Sequence, residues 1–117
     1  MIQLTEQQES MLQAFQTHVT GRRYGDAISV GERLLATGLP KSKPLYRVLN
    51  NLGIAYDCSG DKVNVYMEGG EVRFRSLDHL RRAVEVAQFI GRGDLAARTS
   101  ELIQKLQTLI LRLYLEL

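Results

Sequence analysis

Leu49-Asn50-Asn51-Leu52-Gly53-Ile54-Ala55-Tyr56 is the stretch around which the other segments arrange themselves. Leu49, Leu52 and Tyr56 recur three and four residues apart, which places them on one face of an α-helix. Gly53 has no Cβ, so a second helix can approach the backbone there. Such a face needs a partner on each side, and the chain offers apolar helical segments before and after it.

Working outward toward the N-terminus, Pro44 fits the first turn of this helix, where its missing N–H is not needed. Leu39 to Pro44 is a loop, and Gly38 ends a preceding helix from about Tyr24 to Ala36 whose apolar face is Ala27, Val30, Gly31, Leu34 and Leu35. Before it, Thr5-Glu6-Gln7-Gln8 has the form of a capping box. The helix that follows carries Met11, Leu12, Phe15 and Val19 on one face and stops near Gly21. The short connection predicts an antiparallel helix pair.

Toward the C-terminus, Ser59-Gly60-Asp61 marks a turn, and the period then changes. Val63, Val65 and Met67 alternate with polar or amphipathic neighbours, and after Gly69-Gly70 so do Val72 and Phe74. This predicts a β-hairpin with Met67 opposite Val72 and Val65 opposite Phe74. An isolated hairpin is marginal in water, so its apolar side is expected to rest on a helix, another strand or another chain. Ser76 is the expected N-cap of a helix over residues 77–90, and Asp94 that of a last helix reaching Leu117. In that last helix Ile103, Leu106, Ile110, Leu113 and Leu117 keep a three–four spacing, and Leu102, Leu109, Leu111, Tyr114 and Leu115 widen the stripe. Leu102, Leu106, Ile110 and Leu113 are therefore expected either to dock within the chain or to form the seam of a homodimer. The fold class that results is mostly α: about five helices in antiparallel pairs, with a hairpin inserted at 62–75 between the third and fourth, in a single domain over 1–117.

At 117 residues the chain is long enough to bury a core without metal or disulfide. The single Cys58 cannot form an internal bridge, which fits a reducing, cytoplasmic setting. The N-terminus lacks the basic and apolar regions of a signal peptide, and no apolar run is long enough to span a membrane. A net charge of +2 does not by itself point to nucleic acid. Enzyme chemistry has little support: His18 and His79 stand in no metal-ligand spacing, Cys58 reads as an unreactive thiol, and no phosphate loop or nucleophile motif is present. No cofactor is expected.

Leu49, Leu52, Gly53 and Tyr56, followed by Ser76, Leu80 and Ala83, resemble the two helices of a tetratricopeptide repeat. Met11, Ala14, Phe15 and His18 with Ala27, Gly31 and Leu34 look like a weaker first copy, so the resemblance covers 9–40 and 45–91. The chain departs from the family in two ways. Leu49 follows Met11 by 38 residues rather than about 34, and the hairpin splits the second repeat. The resemblance implies a protein-binding module, an adaptor or chaperone-like domain, that takes a peptide in a groove. That groove would show Leu12, Gln16 and Val19 from the first repeat and Arg47, Asn50, Asn51 and Ile54 from the second. Arg47 and Asn51 are similar to donors with which some members hold a peptide's terminal carboxylate. The first copy lacks the accompanying lysine, so no such clamp is expected. The hairpin face bearing Tyr66, Arg73 and Arg75 is a second candidate contact surface.

Residues 28–75 also resemble a winged helix-turn-helix, with Pro44 to Leu52 as recognition helix, the hairpin as wing and the last helix as dimer seam. Under that alternative Lys41, Lys43, Tyr46, Arg47, Asn50 and Asn51 would face the groove of DNA, with Arg73 and Arg75 on the wing. Near charge balance and the repeat-like helix pairs weigh against it.

Overall fold

The computed structural model describes residues 3–115, with side chains as far as Leu113. Its elements are α1 (Glu6–Thr20), α2 (Tyr24–Ala36), α3 (Lys43–Cys58), α4 (Asp61–Asn64), β1 (Val65–Glu68), β2 (Glu71–Phe74), α5 (Arg75–Phe89) and α6 (Gly93–Leu115). The chain is mostly helical, with six helices and one antiparallel hairpin among the described residues. The expected end of the last helix at Leu117 lies outside them, as do the side chains of Tyr114 and Leu115.

Local chemistry sets the helix starts. Thr5 Oγ1 accepts from the Gln8 N–H, and Gln8 Oε1 accepts from the Thr5 N–H, each at 3.0 Å, which completes the capping box. The Gln8 amide also donates to Thr37 Oγ1 at 3.0 Å. This bond ties the first turn of α1 to the residue after α2, so the two helices run antiparallel. Ser42, fully buried, caps α3 by accepting from the Leu45 N–H, with Pro44 in the first turn.

α3 is the centre of the molecule. Eight of its sixteen residues are buried, so only a narrow strip of it meets solvent. Two glycines allow the close packing around it. A Cβ on Gly31 of α2 would stand 2.6 Å from Leu52 Cδ2 and 2.8 Å from Phe15 Cε1. A Cβ on Gly53 would stand 2.6 Å from Leu80 Cγ and 3.0 Å from the Ser76 carbonyl oxygen of α5. The larger core joins Phe15, Leu34, Val48, Leu49 and Leu52 to Ala83, Ala87 and Leu95. A second cluster joins Leu77, Leu80 and Leu106, with Phe74, Leu102, Ile103 and Ile110 packed against it.

The hairpin has the expected register, Val65↔Phe74 and Met67↔Val72. Gly69 and Gly70 both take positive φ (57° and 80°), the pattern of a two-residue hairpin turn matched to strand twist. Three local expectations fail. Asp94 lies inside α6, which begins at Gly93, and does not cap it; the N–H groups of Leu95 and Ala96 bond to the Arg92 carbonyl. Val63 belongs to the helical turn α4 and not to the strand: the N–H groups of Val63 and Asn64 both bond back to the Gly60 carbonyl. Ser76 does not cap α5, which begins at Arg75. Instead the buried Asn64 accepts from the Ser76 N–H at 2.8 Å and satisfies the helix start from outside. Phe74 is half-buried in the second cluster, whereas Met67 (63%) and Val72 (48%) stay exposed, so the apolar side of the hairpin is only partly covered within the chain.

Candidate partner-binding site

The first turns of α6 meet α3, and a polar chain joins them there. Tyr46 Oη and Thr99 Oγ1 lie 2.7 Å apart, Tyr46 Oη donates to the Leu95 carbonyl at 3.3 Å, and Thr99 Oγ1 donates to Asn50 Oδ1 at 2.8 Å. Residues 46 and 50 of α3 therefore match 95 and 99 of α6, which makes the two helices parallel. Tyr46 and Thr99 are buried, so these bonds are shielded from water and rigidify the junction.

Between the helices opens a cleft of about 330 Å³. Its α3 wall carries Lys43, Arg47, Asn50 and Asn51; its α6 wall carries Arg98, with Arg92 and Asp94 at the rim. Arg92 grips Asp94 through two parallel bonds of 3.0 and 2.9 Å. That pairing holds the Asp94 carboxyl down at about 2. Lys43, Arg47 and Arg98 have no carboxylate within ion-pair distance among the described residues. The cleft therefore offers cations and amide donors held on two rigid helices, an arrangement suited to anions.

Three of the expected peptide-contact residues, Arg47, Asn50 and Asn51, come together here, joined by Lys43 and Tyr46 from the DNA-binding alternative. Ile54 is half-buried on α3 and does not line the cleft. Tyr66, Arg73 and Arg75 lie on or beside the hairpin, where local contacts engage them. Tyr66 Oη donates to Asp78 of α5, the Arg75 guanidinium sits 4.5 Å over the Tyr66 ring, and Arg73 pairs with Glu71 at 3.3 Å. The Asp78 carboxylate pushes the Tyr66 hydroxyl above its usual range. Of the candidate dimer residues, Leu106 is buried against Leu77 and Leu80, Leu102 and Ile110 flank it, and Leu113 is 65% exposed. Leu12 and Val19 of α1 are half-buried against the core, which leaves them little surface to offer a ligand.

Arg92, Asp94 and Arg98 are not among the contact residues expected from the sequence, where Asp94 reads only as a helix cap and the last helix as a docking or dimer element. The signal was the run Gly91-Arg92-Gly93-Asp94, a turn that starts α6 beside the start of α3. His79, in no metal-ligand spacing in the sequence, has a structural role. In the fold His79 Nε2 lies 2.8 Å from Glu32 Oε1, which also accepts from Tyr56 Oη at 2.9 Å. The bond from His79, then that from Tyr56, holds the Glu32 carboxyl below its usual value. Burial, reinforced by the bond to Glu32, pushes the Tyr56 hydroxyl up to about 12. This cluster links α2, α3 and α5 and is part of the scaffold under the cleft helices.

Comparison with protein-family models, with curated proteins and with solved structures finds no match. No helix of the described residues is long and apolar enough to cross a membrane. The described residues hold no cluster of His, Cys, Asp and Glu placed to bind a metal.

Proposed function

We propose that this chain is a non-enzymatic, tetratricopeptide-like binding module, cytoplasmic and adaptor-like, that holds an acidic extended segment of a partner protein in the α3/α6 cleft. The observation that carries this reading is the convergence of Lys43, Arg47 and Arg98, without acidic partners, with the Asn50 and Asn51 amides on one walled cleft. Consecutive antiparallel helices with glycine-mediated contacts support the repeat-like architecture. The hairpin face of Tyr66, Arg73 and Arg75 supplies a second contact. Homodimerisation would use the exposed leucines at the end of α6.

Burial of α3 favours a peptide over duplex DNA. Tyr46, assigned to the DNA face in the alternative, is turned inward, and α6 occupies the flank of the would-be recognition helix. A major groove about 12 Å wide admits one helix, not two side by side.

The test is fluorescence polarisation with a labelled Asp/Glu-rich peptide and, separately, random-sequence duplex DNA. Binding of the peptide that weakens about tenfold in Arg47→Ala or Arg98→Ala is expected, since a charge-assisted bond contributes about 1.5–3 kcal/mol. Both side chains are exposed, so the variants should remain folded. Tight, steeply salt-dependent DNA binding with no peptide binding would overturn the proposal.

A further inference from the structure

We infer that the α3/α6 cleft is shaped for a phosphomonoester dianion carried on the partner peptide, a phosphorylated serine or threonine side chain. The inference rests on the peptide-binding reading above and narrows its ligand. Charge balance is the first argument. Asp94 offsets Arg92, and Lys43, Arg47 and Arg98 remain uncompensated among the described residues. One carboxylate would leave two of those charges unmatched, whereas a phosphomonoester brings about −1.5 to −2 at neutral pH.

Geometry is the second. Lys43 and Arg47 stand on α3 and Arg98 on α6, so donors arrive from two opposed walls. A carboxylate presents two oxygens in one plane, while a phosphoryl group presents three around a tetrahedral centre and can accept from both walls at once. The amides add to this. Thr99 occupies Asn50 Oδ1, which leaves the Asn50 Nδ2 hydrogens to donate. The cleft volume is at the low end of the range for ligand pockets, a fit for one modified side chain.

The experiment compares three labelled peptides of identical flanking sequence with Ser, Glu or phosphoserine at the centre. Phosphoserine is expected to bind at least tenfold more tightly than Glu, and Arg47→Ala and Arg98→Ala are each expected to shrink that ratio toward one. Lowering the pH from about 7.5 to about 5.5 should weaken only the phosphoserine peptide, as its second proton returns near pH 6. No histidine lines the cleft, and its one carboxyl, Asp94, stays ionised throughout that range, so the change reports on the ligand. Equal affinity for Glu and phosphoserine would overturn the phosphate inference and leave acidic-peptide binding standing. Binding of none of the three would overturn both. Competition by inorganic phosphate or phenyl phosphate at the peptide's own affinity would overturn the peptide-borne source.

Discussion

At the scale of single residues, Gly53 and Glu32 are two positions whose substitution has an identifiable cost. Any side chain at residue 53 collides with Leu80 and with the Ser76 carbonyl, and a backbone oxygen cannot swing away. Gly53→Ala is expected to destabilise the protein by about 1–3 kcal/mol, the usual range for overpacking, as read by urea denaturation. Glu32 acts through charge. Its folded pKa is lowered from 4.5 by the bonds from His79 and Tyr56, so its contribution to stability is present above pH 4.5. That contribution is lost as the pH falls through the lowered folded value. Thermal melts between pH 7 and pH 3 should therefore show a falling melting temperature below about pH 4.5, with a shallower acid arm in Glu32→Gln. Asp94 titrates in the same direction but nearer pH 2, which places most of its effect below this window. An unchanged acid arm in the variant would show that the cluster does not couple to folding.

At the scale of elements, α6 is two things in succession. Its 23 residues span about 35 Å, against about 22 Å for the 15 residues of α5, so it outruns the helix it packs on. Leu106 is in the covered part, and Leu109, Leu111 and Leu113 are exposed near its end. Leu106→Ala should cost about 2–4 kcal/mol as a cavity in the second cluster, while Leu113→Ala should change stability by less than about 0.5 kcal/mol. A charge at Leu106 would unfold the chain rather than separate two copies. Self-association is instead tested by Leu109→Ser with Leu113→Ser: a folded variant whose mass by light scattering falls from dimer to monomer is the expected result. A parent that is already monomeric would end the dimer proposal.

At the scale of the whole molecule, the α3/α6 cleft depends on two helices that begin about fifty residues apart in sequence. Peptide affinity should fall as salt is raised from about 0.05 to about 0.5 M, since exposed charges are screened over a Debye length of about 10 Å at 0.1 M. Arg47→Ala should flatten that dependence. A salt-independent affinity would mean that apolar contacts, not the cations, hold the peptide.

Much of this fold was legible in the chain because its signals are local. The Thr5–Gln8 capping box, the Gly69-Gly70 turn with its register, the boundaries of α2 and the need for a glycine at position 53 all follow from a few neighbouring residues and their periodicity. Arg47, Asn50 and Asn51 were legible as a polar strip because they occupy the one side of α3 that carries no apolar pattern. Tertiary structure decided what those residues face. Whether Ser76 caps its own helix or is capped by Asn64, whether Leu106 is core or interface, and whether His79 is a flank residue or a partner of Glu32 depend on contacts between distant segments. The same holds for the cleft: Arg98 joins Arg47 only because the buried Tyr46–Thr99–Asn50 chain sets α6 parallel to α3. Periodicity assigns a residue to a face of its own helix, and only packing determines which other helix that face meets.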